Sequence, residues 1–185
     1  MIEDIDNALI KINNDLKEYA NTVDFIDINE FTLNALQGKV CDSKYNVNGI
    51  YRFDIMVEDQ TVSVQDWLTH FAEEWKNSNV IWVPGIKKNR VMFHTQHKEW
   101  MPIYIGKSKC VGKRINEHLH QKLQANTFGM KLMGRTNLYG RKFKVSWIPL
   151  GVSHYNLIAP RGCFMNCVNS VTLSYRHEHG NTRRF

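Results

Sequence analysis

Five side chains in this sequence have the types and spacing for work on a phosphodiester: Tyr51, Tyr104, Lys107, Arg114 and His118. In Ile103-Tyr104-Ile105-Gly106-Lys107-Ser108-Lys109 an apolar stretch runs into a glycine. A glycine turn lets backbone N–H groups and nearby lysines approach an anion. Downstream of Gly112, Arg114 and His118 stand four residues apart, so on a helix they share one face. A guanidinium can clamp the non-bridging oxygens of a phosphate, and an imidazole can take a proton near neutral pH. A tyrosine has a reference pKa of about 10, so service as a base requires cations beside it. Lys107, Lys109 and Arg114 are close enough in sequence to supply them.

Such a site needs a strand, a turn and a helix, with a second strand alongside. Tyr51, Phe53, Ile55 and Val57 alternate with Arg52, Asp54 and Glu58, which predicts a strand over 49–58. Ile115, Leu119 and Leu123 predict a helix over about 111–124 that rests its apolar face on the sheet and leaves Arg114 and His118 toward a cleft. Phe143, Val145 and Trp147 predict a strand stopped by Pro149. The apolar stretches Val80–Val83, Val91–Phe93 and Ile103–Ile105 predict two or three strands between 80 and 105. Ser63 with Asp66 reads as a helix start, and Trp67, Phe71 and Trp75 form a stripe at helical spacing over 64–77. Core packing is the reading of that stripe, and of Trp82, Trp100 and Trp147. Ile5, Leu9, Ile12, Leu16 and Tyr19 predict an amphipathic helix over 2–20. Residues 29–37 read as a short helix capped by Asn29, and 38–48 as a loop. Short helices are expected at 127–134 and 163–176. The sum is an α/β (α+β) domain with a small, mostly antiparallel sheet flanked by helices.

Composition narrows the partners. The chain has 185 residues, 43% of them hydrophobic and 23% charged, an ordinary globular mixture. No apolar run is long enough to span a membrane, and the acidic start Met1-Ile2-Glu3-Asp4 lacks a signal-peptide layout. A soluble, cytoplasmic protein is expected. Four cysteines are too few and scattered for a disulfide scaffold. Cys163 and Cys167 with His177 and His179 match no ordinary zinc spacing and read as buried thiols and surface histidines. The charge is split. Residues 1–100 carry 10 Lys/Arg against 16 Asp/Glu, net −6, whereas residues 101–185 carry 14 Lys/Arg against two acids, Glu117 and Glu178, net +12. A basic half of this kind suits a polyanion, since lysine and arginine contacts to phosphates release counterions. A solvated basic face is the plainer reading of charge alone.

Gly49-Ile50-Tyr51 and Tyr104-Ile105-Gly106 resemble the two halves of the signature of the GIY-YIG nucleases. The run YIGKSKCVGKRINEHL resembles the strand–turn–helix of the phage and restriction branches of that family. The likeness covers roughly 49–58 and 102–181. It implies a three-stranded sheet flanked by helices that cuts DNA with a divalent metal, Mg²⁺ or Mn²⁺. It also implies roles. Tyr51 and Tyr104 stand around the attacking water and the phosphate, Arg114 on the scissile phosphate, His118 as base or water positioner, and Lys107 beside the phosphate or a tyrosine. Residues 1–48 fall outside as an N-terminal helical extension, and 49–185 form the nuclease-like domain.

The sequence departs from the family twice. The family joins its two signature strands by a short hairpin, but here Tyr51 and Tyr104 are 53 residues apart. The insertion at about 59–100 contains Lys87, Lys88 and Arg90, and reads as a DNA-contacting element or an added packing element. With Lys109, Lys113, Arg135 and Arg141, these form the expected DNA-binding set. Secondly, Asn181 matches the family's downstream asparagine, and Asn169, twelve residues earlier, stands where the family has its metal-binding glutamate. An amide is a poor substitute for a carboxylate at a hard cation. Either Asn169 marks a weakened or inactive site, or Glu178 or an acid from the first hundred residues serves instead. The expected function is a type II restriction-like, sequence-specific DNA endonuclease. A palindromic target would imply a homodimer on double-stranded DNA, with the N-terminal helix as a dimer element, packing element or solvated cap. The alternatives are a non-cleaving DNA-binding protein with a degenerate site, a phage or mobile-element nicking enzyme of loose specificity, and an RNA-binding domain.

Overall fold

The segment Gly49–Met56 (GIYRFDIM) combines aromatic and β-branched residues at a period of two, and it becomes the middle of a sheet. In the computed structural model, which describes residues 2–22, 24–76, 83–86, 91, 94–151 and 174–175, the helices are α1 (Ile2–Thr22), α2 (Val64–Lys76) and α3 (Val111–His120). The strands are β1 (Ile26–Thr32), β2 (Gly49–Met56), β3 (Trp100–Ser108), β4 (Lys142–Pro149) and β5 (Ser174–Tyr175). They are ordered β1-β4-β2-β3-β5. β1–β4, β4–β2 and β2–β3 are antiparallel, and the two-residue β5 lies parallel to β3. The fold is therefore mixed α and β, around four antiparallel strands. Among the described residues, no helix is long and apolar enough to cross a membrane.

The two faces of β2 do different work. Tyr51, Phe53 and Ile55 point to one side, into a core shared with Trp67, Leu68, Phe71 and Trp75 of α2 and Ile115 and Leu119 of α3. Arg52 and Asp54 point to the other side, where they pair at 3.0 Å, and the Arg52 guanidinium lies over the Phe25 ring. Asp54 is 1% exposed, and burial raises its carboxyl against the pull of Arg52 and Lys144.

Helix α2, at the centre of the long insertion, is capped as expected. The Asp66 N–H donates to Ser63 Oγ at 3.1 Å, and that hydroxyl donates to the Asp66 carboxylate at 2.6 Å. Trp67 stacks on Phe71 at 5.3 Å, and the Trp75 indole N–H donates to the Pro84 carbonyl at 2.8 Å. Each large apolar side chain buried in this way contributes roughly 2 kcal/mol.

Local expectations are corrected at three places, and two others fall largely outside the described residues. Residues 29–37 are not a helix: strand β1 runs to Thr32, and a turn follows. The edge of β4 overrides the weak cap signal of Asn29, and Phe31 pairs with and stacks on Phe143 at 6.0 Å. Strand β1 thus brings part of the segment read as a helical extension into the sheet. Between residues 80 and 105 the described strand is β3 alone; Val91 is helical, and Val80, Ile81 and Trp82 lie outside the described residues. The helix expected over 111–124 stops at His120, where Gln121 turns extended, and 127–134 holds only the 3₁₀ turn Leu132–Gly134. In the expected helix 163–176, Ser174 and Tyr175 form β5, and residues 163–173 lie outside the described residues.

Candidate active site

The two signature triplets sit on adjacent strands. β2 and β3 pair with Tyr51 opposite Gly106 and Phe53 opposite Tyr104. The glycine is required there, because a Cβ on residue 106 would overlap the Tyr51 hydroxyl and crowd Tyr104. The Tyr51 ring lies across that gap, 6.0 Å from Tyr104 and 5.6 Å from the His118 ring, and Tyr104 and His118 are 4.7 Å apart.

Helix α3 delivers Arg114 and His118 to this cluster. It is a short helix held from outside itself. The Lys113 N–H donates to Asn46 Oδ1 at 3.1 Å and the Val111 N–H to the Val47 carbonyl at 3.0 Å, so donors that a helix start leaves open are satisfied by residues 46–47. Asn116 binds the same segment on both sides. Its amide donates to the Cys41 carbonyl at 3.0 Å and its oxygen accepts from the Val40 N–H at 3.1 Å. The stretch read as a loop is thus the brace that sets the angle of α3. Burial and the nearby Asp42 push the Cys41 thiol up to about 12, so it stays protonated.

His118 is fully buried and fixed at both ring nitrogens. Nδ1 accepts from the Met130 N–H at 3.1 Å. In the neutral ring the proton is then on Nε2, which donates to the Tyr51 hydroxyl at 2.9 Å. His118 in this tautomer holds Tyr51 in place and does not draw a proton from it. Arg114 is fastened by Nη1 to Glu117 at 2.7 Å and by Nη2 to the Phe128 carbonyl at 2.6 Å. Burial lowers its proton affinity, but Tyr51, Glu117 and Tyr104 together outweigh burial and keep it a cation.

One electrostatic expectation is reversed. Arg114 does lower the proton affinity of Tyr51, but burial of the ring and the neighbouring Tyr104 act more strongly the other way. Tyr51 is 1% exposed, and its hydroxyl is held well above the ordinary tyrosine value. In this state Tyr51 is a neutral hydroxyl beside the half-buried cation of Arg114.

The other expected residues divide. Lys107 lies on β3, half-buried, beside the signature triplet. Lys109 and Lys113 are exposed at the turn and on α3, with no carboxylate partner among the described residues. Arg135 leaves the DNA-facing set. It is 1% exposed, stacks over the Trp75 ring at 4.0 Å and donates to the Trp75 carbonyl, which closes the C-terminus of α2. Burial pulls its guanidinium down to about 10 despite Glu74. Arg141 is tied to Glu74 at 2.8 Å and lies 3.7 Å from Glu58. Lys87, Lys88, Arg90 and Asn169 lie outside the described residues, as do Glu178 and Asn181.

The metal that the resemblance implies has no donor set among the described residues. Among the described residues, Glu117 is the one carboxylate attached to the cluster, and Arg114 holds it. Asp54 points away from Tyr51, across the sheet. Among the described residues, no three His, Cys, Asp or Glu side chains converge. What sequence reasoning missed is the return loop 121–131. It acts through the backbone of Phe128 and Met130, and is pinned where the Lys131 ammonium donates to the Leu123 and Ala125 carbonyls at 3.0 and 2.7 Å. Backbone groups carry no side-chain signal. Leu123, in step with Ile115 and Leu119, conceals the turn. Compared with protein-family models, with curated proteins and with solved structures, the chain shows no significant similarity to any of them.

Proposed function

We propose that the protein is a sequence-specific DNA endonuclease, similar in its signature residues to the GIY-YIG nucleases and of the type II restriction kind. The observation that carries this reading is the convergence of Tyr51, Tyr104, Arg114 and His118, drawn from two strands and a helix, into one hydrogen-bonded cluster. In this reading Arg114 turns from Glu117 to the non-bridging oxygens of the scissile phosphate, where a fixed cation stabilises developing charge. Tyr51 and Tyr104 orient the attacking water, His118 is a positioning residue for Tyr51, and Lys107 adds positive charge beside the phosphate. Lys109 and Lys113 contact the flanking DNA backbone. A palindromic target would engage two copies, one site each. A divalent ion, Mg²⁺ or Mn²⁺, belongs to this reading through the resemblance alone; the roles above fall to the chain's own side chains.

The test is DNA cleavage beside DNA binding. Arg114→Ala is expected to lower cleavage by at least about a hundredfold while affinity falls less than about tenfold. Equal losses would make Arg114 a binding residue and remove the catalytic assignment. Binding itself should weaken steeply with salt, and a flat profile would remove nucleic acid as the partner.

A second reading, a DNA-binding protein that does not cut, is favoured by the burial of the Tyr51 hydroxyl and by the engagement of Glu117 with Arg114. A plasmid digest with Mg²⁺ comparing the natural chain with Asn169→Glu separates the two. Discrete fragments from the natural chain support the nuclease. Fragments from the variant alone mark a disabled one, and tight binding without cutting by either supports the binder.

A further inference from the structure

The two acceptors that hold Arg114 differ in permanence. Nη2 donates to the Phe128 carbonyl at 2.6 Å. That carbonyl belongs to the loop 121–131, which is fastened within itself: the buried Lys131 side chain donates to the Leu123 and Ala125 carbonyls, and the Gln121 amide donates to Thr127 Oγ1. A main-chain acceptor placed this way turns aside only if the loop opens. Nη1 donates to Glu117 at 2.7 Å. Glu117 stands one turn along the same helix, and its carboxylate leaves by rotation about side-chain bonds alone. The Arg114 side chain is 18% exposed and that of Glu117 37%, so the carboxylate is the more accessible side of the pair.

Glu117 also has a second cation in reach. It borders an open cleft of about 760 Å³ between residues 38–46 and α3. Lys113 lines the same cleft, is exposed and has no carboxylate partner among the described residues. Residues three and four apart on a helix are neighbours, so the carboxylate reaches Arg114 at the one spacing and Lys113 at the other. A guanidinium makes the same charge-assisted bonds to a phosphate as to a carboxylate. We infer that Glu117 is a tethered substitute for a phosphate group, which occupies Arg114 until a phosphate displaces it. The contact is autoinhibitory: Arg114 engages a nucleic-acid strand only when a phosphate outcompetes the chain's own carboxylate. The inference rests on the phosphate role read above for Arg114.

Two measurements on the full chain test it. In the first, a labelled DNA duplex is titrated, with EDTA present, with the natural protein, Glu117→Gln, Arg114→Ala and the double variant. Glu117→Gln should tighten binding about threefold to fivefold, the scale of a partly exposed ion pair. The gain should vanish when the double variant is compared with Arg114→Ala. A gain below about twofold, or an equal gain without Arg114, overturns the inference while leaving DNA binding, and with it the nuclease reading, in place. In the second, nitrogen NMR follows the Arg114 guanidinium without DNA. Its signals should move on Glu117→Gln and return toward their natural positions when inorganic phosphate is added to that variant. Signals unmoved by the substitution, or by phosphate, overturn the inference. If no form binds the duplex, the nuclease reading falls, and the phosphate response alone decides the inference.

Discussion

Helices α1 and α3 invert the usual relation between length and security. α1 has 21 residues, and Ile2, Ile5, Leu9, Ile10 and Ile12 on it are more than half exposed, whereas α3 has ten and is bonded along its length to other elements. Asn46 and Val47 satisfy the start of α3, Asn116 ties its flank to Val40 and Cys41, and the Met130 N–H and Tyr51 hydroxyl grip His118. The difference teaches that a short helix can be the most constrained part of a small domain when its polar side chains are spent on tertiary bonds. A long one can do without such bonds: no described apolar side chain of α1 joins the hydrophobic core.

The comparison is broken most readily at His118. His118→Ala leaves the Met130 N–H buried without its partner, at about 1–3 kcal/mol, and removes one of the partners of the Tyr51 hydroxyl, which keeps Tyr104 and Arg114. Denaturant unfolding should therefore report a total loss of about 3–5 kcal/mol once the cavity is included. A loss below about 1 kcal/mol would mean that the α3 bonds are not constraining. The next effect belongs to Gly106→Ala, which sets a methyl group against the Tyr51 hydroxyl and should cost about 1–3 kcal/mol by overpacking. Calorimetry would detect it as a lowered Tm, and an unchanged Tm would show that Tyr51 is free to move aside.

Alkaline pH sharpens the same contrast. The Tyr51 proton is held more tightly in the folded chain than in the unfolded one. Its contribution is fully present below the unfolded tyrosine pKa of about 10 and is lost as pH rises from there toward the folded value. Stability measured from pH 8 to 11 should fall, and Tyr51→Phe should flatten the fall. An equal slope in both would place the alkaline sensitivity elsewhere. The smallest effect is expected at α1. Leu9→Asp, measured at dilutions where copies stay apart, should change stability by less than about 0.7 kcal/mol, the scale of helix propensity.

Legibility followed the same division. β2, β4, α2 and α1 were readable because each has a clean period of two or of three and four, and β3 was visible as the apolar stretch Ile103–Ile105. The site residues Tyr51, Tyr104, Arg114 and His118 were readable because their spacing places them on elements with those periods. β1 was not, because Asn29 offers a helix cap while the partner that decides, Phe143, is far away in sequence. Arg135 looked like a surface cation because charge says nothing of an aromatic partner. Its place under α2 depends on Trp75, 60 residues away. The hold on Arg114 and His118 by Phe128 and Met130 was invisible because main-chain groups do it.

Strand β1 has a consequence for how the molecule meets its own kind. It is an outer strand of the sheet, its pairing with β4 slips between Asp27 and Asn29, and Asp27, Asn29 and Glu30 face solvent. A kinked rim carrying carboxylates is a poor template for a strand from another chain, because incoming backbone must desolvate charge and cannot keep register. Uncontrolled edge-to-edge growth into fibrils is thereby discouraged on this side of the sheet.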